Sequence, residues 1–288
     1  MIGDIIYNDL GTEGRLEADG SLISSTGYPE LAAILSEWHT SPSGLRDLVT
    51  GVPGFNNAVG ALAEDANYVY VGAWFELDNQ NRFAVVRKSD WTLVTGVPSF
   101  TSGVSALAED ANYVYVGGQF TDRFAIVRKS DWTLVTGVPS FDSTVRALAE
   151  DANYVYVGGW FNGRFAVIRK SDWTLVTGAA SFDSDVSALS QDADYVYVGG
   201  RFTDRFAIVR KSDWTLVTGV PSFFSDVNAI TQDADYVYVG GNFNGPNQIR
   251  FAVVSRARVI PAGFYPLPNI PPTVHNNITI PVQIQAEE

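Results

Sequence analysis

The sequence predicts an all-β protein built from a repeated unit, and three observations lead to this prediction. The chain has 288 residues, of which 46% are hydrophobic and 13% aromatic, enough for a large apolar core. The string Tyr-Val-Tyr-Val-Gly occurs five times, and Trp-Thr-Leu-Val-Thr-Gly occurs four times at intervals of 41 residues. Within each unit, apolar runs are short and are separated by turn residues. The strings begin at Tyr68, Tyr113, Tyr154, Tyr195 and Tyr236, and at Trp91, Trp132, Trp173 and Trp214.

One unit divides into four short runs, which we interpret as four antiparallel strands. They are Val104–Glu109, Tyr113–Gly118, Arg123–Lys129 and Trp132–Thr136. Each is rich in Val, Tyr, Phe or Trp and too short for a stable helix. The second run is apolar at every position, so we expect both faces of its sheet to be buried. A four-stranded sheet covered on both sides by copies of itself is the blade of a β-propeller, and a solenoid is the alternative.

The number of units predicts a five-bladed β-propeller over residues 45–256, with about 41 residues per four-stranded blade. The fifth unit ends with Phe251–Arg256 and has no Trp-Thr-Leu-Val string after it. A matching string, Leu48-Val49-Thr50-Gly51, precedes the first unit. We therefore expect Leu45–Gly51 to supply the fourth strand of the last blade, which closes the ring and removes exposed sheet edges.

Composition excludes several classes of function. The chain has no cysteine, two histidines and a net charge of −13, which argues against disulfides, thiolate metal sites and binding to nucleic acid. We find no catalytic constellation and predict no enzyme activity, no cofactor and no metal site. The start Met1–Asp4 lacks the pattern of a signal peptide, and no apolar run approaches the roughly 18 residues of a membrane helix. We therefore expect synthesis in the cytoplasm and no membrane insertion.

The two ends, residues 1–44 and 257–288, do not repeat, and their motifs resemble the tail collar family of bacteriophage tail fibres. The motifs are Gly3-Asp4-Ile5-Ile6, Asp19-Gly20-Ser21 with Ser24, Tyr28-Pro29 with Leu31, and Phe264-Tyr265-Pro266-Leu267-Pro268-Asn269. The resemblance implies a small α+β attachment domain formed by both termini and a place in the virion tail or tail fibre. It also implies other phage tail proteins as partners and a homo-oligomer, with a trimer favoured.

Comparison of the five units predicts where a ligand binds. The Asp-Ala-Asn and Lys-Ser-Asp turns stay nearly constant, whereas the loops at the opposite end of each unit vary. We interpret the varied loops as a face that recognises a host cell-surface glycan or protein, with tryptophans stacking on sugar rings. Neutral drift, a free-standing propeller lectin and a virion spacer without ligand binding remain alternatives. The candidate ligand-binding residues are Trp74, Gln119, Trp160, Arg201, Asn242, Asp122 and Asp204.

Overall fold

The computed structural model describes residues 49–77, 80–245 and 248–256, and all of their regular structure is β-strand. None of these residues lies in a helix, so the described part has no helix long and apolar enough to cross a membrane. The chain divides into two compact units, Met1–Val52 and Pro53–Glu288. The motifs behind the collar-like domain of residues 1–44 and 257–288 lie outside the described residues.

Sixteen strands form five antiparallel sheets in the described residues. Each sheet contains three consecutive strands, and the third sheet contains a fourth, β10. The strands are β1 (Val59–Glu64), β2 (Tyr68–Leu77), β3 (Gln80–Arg87), β4 (Val104–Glu109), β5 (Tyr113–Gly118), β6 (Phe124–Arg128), β7 (Val145–Glu150), β8 (Tyr154–Gly159), β9 (Phe165–Arg169), β10 (Thr174–Leu175), β11 (Val186–Gln191), β12 (Tyr195–Gly200), β13 (Phe206–Arg210), β14 (Val227–Gln232), β15 (Tyr236–Gly245) and β16 (Gln248–Ser255).

The first three runs of each unit become strands close to their predicted limits. Strands β4 and β5 begin and end at the residues that the sequence pattern indicates, and β6 is one residue shorter at each end than Arg123–Lys129. The central strands β5, β8 and β12 are buried at every position after their first tyrosine. This burial confirms that both faces of the inner sheets are covered.

The fourth run is shorter than predicted. In place of a strand over Trp132–Thr136, it forms an isolated bridge between Leu134 and Val127, and only the third sheet extends this bridge into a two-residue strand. The backbone conformation at both ends of the run limits how far it can pair with the third strand. Trp132 has a φ of 58° and Gly137 a φ of 78°, so left-handed residues start and end the run.

Neighbouring sheets pack through a valine that fits against a glycine. The side chain of Val104 in the second sheet lies over Gly72 in the first, where a Cβ atom on the glycine would be 2.4 Å from Val104 Cγ1. The same arrangement joins the other neighbours, and all four valines are fully buried. Because glycine alone leaves room for the valine, this pair sets how closely two sheets approach. The other pairs are Val145 with Gly117, Val186 with Gly158, and Val227 with Gly199.

The five sheets follow one another in chain order, and the predicted closure of the ring is not seen among the described residues. The first strands of neighbouring sheets pack together in turn, but β14 does not pack against β1 in the same way. Residues 45–48 of the predicted closing strand lie outside the described residues, and Val49–Gly51 contains a turn and no strand. Val49 is exposed, whereas its counterpart Val94 is buried.

Candidate recognition face

The antiparallel topology places the loops of each sheet in two groups. The turns between first and second strands and the Lys-Ser-Asp corners lie together, and we call them the constant face. The loops between second and third strands and those leading into the next sheet lie together, and we call them the variable face. Hydrogen bonds show both groupings: Lys129 N–H donates to the carbonyl of Asn112, and the hydroxyl groups of Thr101 and Thr121 are 3.1 Å apart.

On the constant face, a lysine joins each inner sheet to the preceding one. Lys129 Nζ lies 2.7 Å from Asp65 Oδ2 in the first sheet and 2.5 Å from Glu109 Oε2 in its own sheet. The Tyr70 hydroxyl donates to the same Asp65 carboxylate, whose other oxygen accepts backbone N–H groups of the turn. Lys170 and Lys211 occupy equivalent positions in the next two sheets. The near-identity of these turns therefore has a structural cause, because they bond neighbouring sheets together.

The network shifts the pKa values of its members. Burial alone would raise the pKa of Asp65, but hydrogen bonds from Lys129 and Tyr70 outweigh burial and lower it. Burial raises the pKa of Tyr70, and the adjacent Asp65 carboxylate raises it further. The same directions hold for Asp110 with Tyr115 and for Asp151 with Tyr156. The carboxylates of Asp65, Asp110 and Asp151 are thus ionised at neutral pH and occupied by partners in the protein.

On the variable face, the seven predicted site residues are all exposed. Five of them occupy one equivalent position, directly after the glycine pair or its Gly-Ala counterpart. There the backbone N–H donates to the carbonyl of the residue that precedes the first strand of the same sheet, so the backbone is held while the side chain is free to differ. Asp122 and Asp204 lie three residues further along the same loops, where their carbonyl groups accept the N–H groups of Phe141 and Phe223. The five equivalent residues are Trp74, Gln119, Trp160, Arg201 and Asn242.

The two tryptophans of this face are each covered on one side. A Cβ atom placed on Gly103, in the lead-in to the second sheet, would be 2.4 Å from Trp74 Cε2, so the indole of Trp74 rests on this backbone. The Arg146 guanidinium lies 4.9 Å from the centre of the Trp160 ring. Trp74 and Trp160 remain 43% and 44% exposed, which leaves apolar ring surface available to a ligand.

Arg146 belongs to a charged cluster that the sequence comparison did not identify. Asp185 is 6% exposed and lies between two arginines, with its Oδ2 atom 3.6 Å from Arg146 Nη1 and 4.0 Å from Arg201 Nε. Arg201 Nε also donates to Asp226 Oδ2 at 3.0 Å. Arg201 was predicted as a site residue, whereas Arg146, Asp185 and Asp226 were missed. The available signal was that Gly60, Ser105, Arg146, Ser187 and Asn228 differ at the second position of the first strand.

Many of the varied polar side chains pair with one another across two loops. The Asp142 carboxylate accepts the N–H of Asn162 at 2.9 Å, and the Asp183 carboxylate accepts the N–H of Thr203 at 2.9 Å. Thr101 Oγ1 accepts the N–H of Thr121 at 3.2 Å. These residues therefore stabilise the loops of the variable face in addition to any role in recognition.

A groove of about 430 Å³ opens beside the third sheet, lined by Asp142, Asn162 and Ser181 among others. Its floor includes Ala179-Ala180, where the other units have Val-Pro. The Ala180 N–H donates to the carbonyl of Trp214, a bond that proline cannot make. Among the described residues, no group of three or more histidine or acidic side chains is placed to hold a metal ion.

Comparisons with known proteins bear on the fold. No protein-family model matches the chain, and no curated protein matches it. The structure of U3-55K matches with a TM-score of 0.54 and 12% identity, over 66% of this chain and 60% of that one. The WD40 repeats of RRP9 match with a TM-score of 0.54 and 11% identity, over 66% of this chain and 59% of that one. The computationally designed protein Ika4 matches with a TM-score of 0.48 and 22% identity, over 56% of this chain and 95% of that one.

These likenesses concern the fold alone, because the identities are low. The chain spans about 60% of the length of the U3-55K and RRP9 structures that it matches. Together with the repeated antiparallel sheets, the likenesses to U3-55K and to the WD40 repeats of RRP9 support a β-propeller type of architecture.

Proposed function

We propose that this protein is a structural component of a bacteriophage tail or tail fibre whose variable face binds the host cell surface. In this proposal the repeated sheets are five propeller blades, and residues 1–44 and 257–288 form a collar-like base that attaches to other tail proteins, in a trimer. The protein binds without catalysis. The resemblance of the terminal motifs to the tail collar family supports the location.

One observation carries the recognition part of the proposal. Five near-identical units differ mainly on one side, and that side exposes aromatic rings beside paired charges. Trp160 with Arg146, and Arg201 with Asp226, place an apolar ring, guanidinium groups and carboxylates on one surface. Rings of this kind stack on the apolar faces of sugars, and carboxylate and guanidinium groups bind hydroxyls. The favoured ligand is therefore a cell-surface glycan.

The binding test compares the purified protein with the double variant Trp74→Ala plus Trp160→Ala on host-cell glycans. We expect loss of most binding with a melting temperature lowered by at most a few degrees, since both rings are part-exposed. The double variant Leu134→Ala plus Leu216→Ala is the matched control, because both leucines are exposed on fourth runs away from this face. Equal binding by all three proteins would contradict the glycan assignment.

The location is tested separately by mass spectrometry of purified virions and by electron microscopy of labelled particles. Detection of the chain in tails supports the structural role, and its absence from particles together with glycan binding would indicate a free-standing lectin.

A virion spacer without a ligand is the second candidate, and a specific observation favours it. The bonds of Asp142 with Asn162 and of Asp183 with Thr203 show that these varied residues stabilise the loops, a role that needs no ligand. A spacer predicts presence in virions with no binding by the isolated protein to host cells.

A further inference from the structure

The two ends of the series of sheets expose surfaces that are covered at every inner junction. The first sheet exposes what we call the leading surface, formed by Phe55, Val59, Leu62, Lys88 and Trp91. Val59 is 42% exposed and Leu62 is 65% exposed, whereas the four valines equivalent to Val59 are fully buried. In inner sheets these positions contact the sheet that precedes them, and the first sheet has no predecessor among the described residues.

The fifth sheet exposes the opposite half of the same junction. We call it the trailing surface, formed by Asp233, Tyr236, Gly240, Phe251 and Val253. Phe251 is 56% exposed, although its four equivalents are almost fully buried. A Cβ atom on Gly240 would contact only atoms of its own sheet. At the equivalent Gly199, the space that a Cβ atom would take is occupied by Val227 of the next sheet.

The apolar groups of the two surfaces match position by position. The inner junctions place a valine against a glycine, so Val59 fits against Gly240. They also place a phenylalanine between two sheets: Phe100 contacts Phe83 at 6.0 Å between ring centres and Phe120 at 4.4 Å. Phe55 contacts Phe75 in its own sheet at 4.6 Å, and the position of its second partner corresponds to Phe251.

The polar and aromatic groups match in the same way. At inner junctions a tryptophan packs edge-on against the first tyrosine of the preceding central strand, as Trp132 does against Tyr68 at 5.2 Å. Trp91 is equivalent to Trp132 and Tyr236 to Tyr68, so this pattern makes Trp91 and Tyr236 a matching pair. Lys88 corresponds to the lysines that reach back to an aspartate of the preceding sheet, and Asp233 to those aspartates. Lys88 instead pairs with Glu64 of its own sheet.

The repeated geometry of the junctions indicates whether the two surfaces meet within one chain or between two chains. The Lys–Asp distance is 2.7, 2.6 and 2.6 Å at three successive junctions, and the Trp–Tyr distance is 5.2, 5.1 and 4.9 Å. Successive sheets are therefore related by nearly the same step, and four such steps do not bring β14 against β1. Closing the five sheets into a ring would therefore require a step different from the one repeated at these junctions, whereas a further sheet can be added at either end by the same step.

We infer that the leading surface of one chain binds the trailing surface of a second copy. The contact is heterologous, since different surfaces meet, and it reproduces the inner junction between two molecules. Its core is Val59 on Gly240 and Phe55 on Phe251, with Lys88 and Asp233 paired at the rim.

The test measures the mass of the full-length protein by light scattering and native mass spectrometry over a range of concentrations. Leu62→Glu places a charge in the leading surface, and Phe251→Glu does so in the trailing surface. We expect the wild type to grow in mass with concentration and each variant to lose this growth. An equimolar mixture of the two variants retains one intact leading and one intact trailing surface, so the two variants are expected to associate with each other.

Leu134→Glu is the control, because Leu134 is exposed but belongs to neither surface, and it is expected to behave as the wild type. Circular dichroism checks that each variant is folded. If Leu62→Glu or Phe251→Glu is not folded, the charge reversals Lys88→Glu and Asp233→Lys are used in their place. Each charge reversal alone is expected to weaken association, and a mixture of the two is expected to restore it. Equal masses for wild type and variants would indicate closure within one chain or assembly elsewhere, and would overturn the inference, as would a mixture that fails to associate.

Discussion

The constant and variable faces belong to the same strands, yet their side chains have different tasks. On the constant face, Lys170 bridges Asp110 of one sheet and Glu150 of the next, so any change disturbs two sheets at once. On the variable face, Asp142 bonds a neighbouring loop of the same sheet, and the only hydrogen bond that all five equivalent exposed residues share is donated by their backbone N–H groups. The near-identical units thus keep the lysine–aspartate bonds that join sheets on the constant face, whereas the contacts on the variable face, such as Arg201 with Asp226, differ from one unit to the next. The following predictions test this difference, from the largest expected effect to the smallest.

Two tryptophans of the third unit give the largest expected contrast. Trp173 packs edge-on against Tyr113 of the preceding sheet at 5.1 Å, whereas Trp160 is 44% exposed on the variable face. We expect Trp173→Ala to lower the free energy of unfolding by about 3 kcal/mol, because a cavity forms between sheets. Trp160→Ala should lower it by less than about 1 kcal/mol. Urea denaturation followed by circular dichroism measures both, and equal losses would remove the distinction.

Two aspartates give the next contrast. Asp110→Ala leaves Lys170 without its partner in the second sheet and removes an acceptor for the Tyr115 hydroxyl and two turn N–H groups. We expect a loss of about 2 kcal/mol in unfolding free energy, reduced from the cost of a fully buried pair because the side chain is part-exposed. Asp142→Ala on the variable face is the control and should cost about 0.5 kcal/mol. A larger loss for Asp142→Ala would reverse the assignment of roles.

A glycine in the second sheet tests how closely two strands of that sheet approach each other next to the variable face. A Cβ atom on Gly118 would lie 2.2 Å from the carbonyl oxygen of Gly103. The first sheet already has Ala73 at this position, and its bond from Trp74 N–H to the Ala58 carbonyl is 3.5 Å long, against 2.8 Å for the equivalent bond of Gln119. We expect Gly118→Ala to cost about 1–2 kcal/mol by pushing the strands apart. We expect Ala73→Gly to be tolerated. The melting temperatures of both variants, measured by thermal unfolding, test this difference.

The constant face also predicts how stability depends on pH. The pKa values of Asp65 and Asp110 are lowered in the folded state, so the stability that they contribute is present at neutral pH. It is lost as the pH falls from about 4 towards the lowered pKa values of the folded protein. The pKa values of Tyr70 and Tyr115 are raised, so their contribution is lost only as the pH rises above about 10.

Urea midpoints between neutral and acid pH measure the acid limb. We expect the urea midpoint to fall on acidification, and to fall less in Asp110→Asn than in the wild type, because this variant has no carboxylate to protonate at that site. An identical fall in the variant would show that these carboxylates do not control acid stability.

Much of the fold was predictable from residue pattern, because strand limits follow from local chemistry. Strands β4 and β5 begin and end where the turn residues indicate. The fourth run was predicted too long, since its sequence does not reveal that Trp132 and Gly137 are left-handed. In the candidate site, comparison of the units located the exposed position of Trp74 and Arg201. It missed Asp185, because the burial of that carboxylate between Arg146 and Arg201 depends on how the third and fourth sheets pack together.

The sequence by itself determined the repeating strands, the turns that join them and the side on which the units vary, because strand period and turn chemistry act within a few residues. Only the tertiary structure decided which sheets meet and at what angle. The angle between sheets is set by side chains from two units, such as Val104 against Gly72, and small differences in it accumulate over four junctions. For this reason a count of five units does not by itself establish a closed ring, and the described end surfaces of the first and fifth sheets remain open to a further partner.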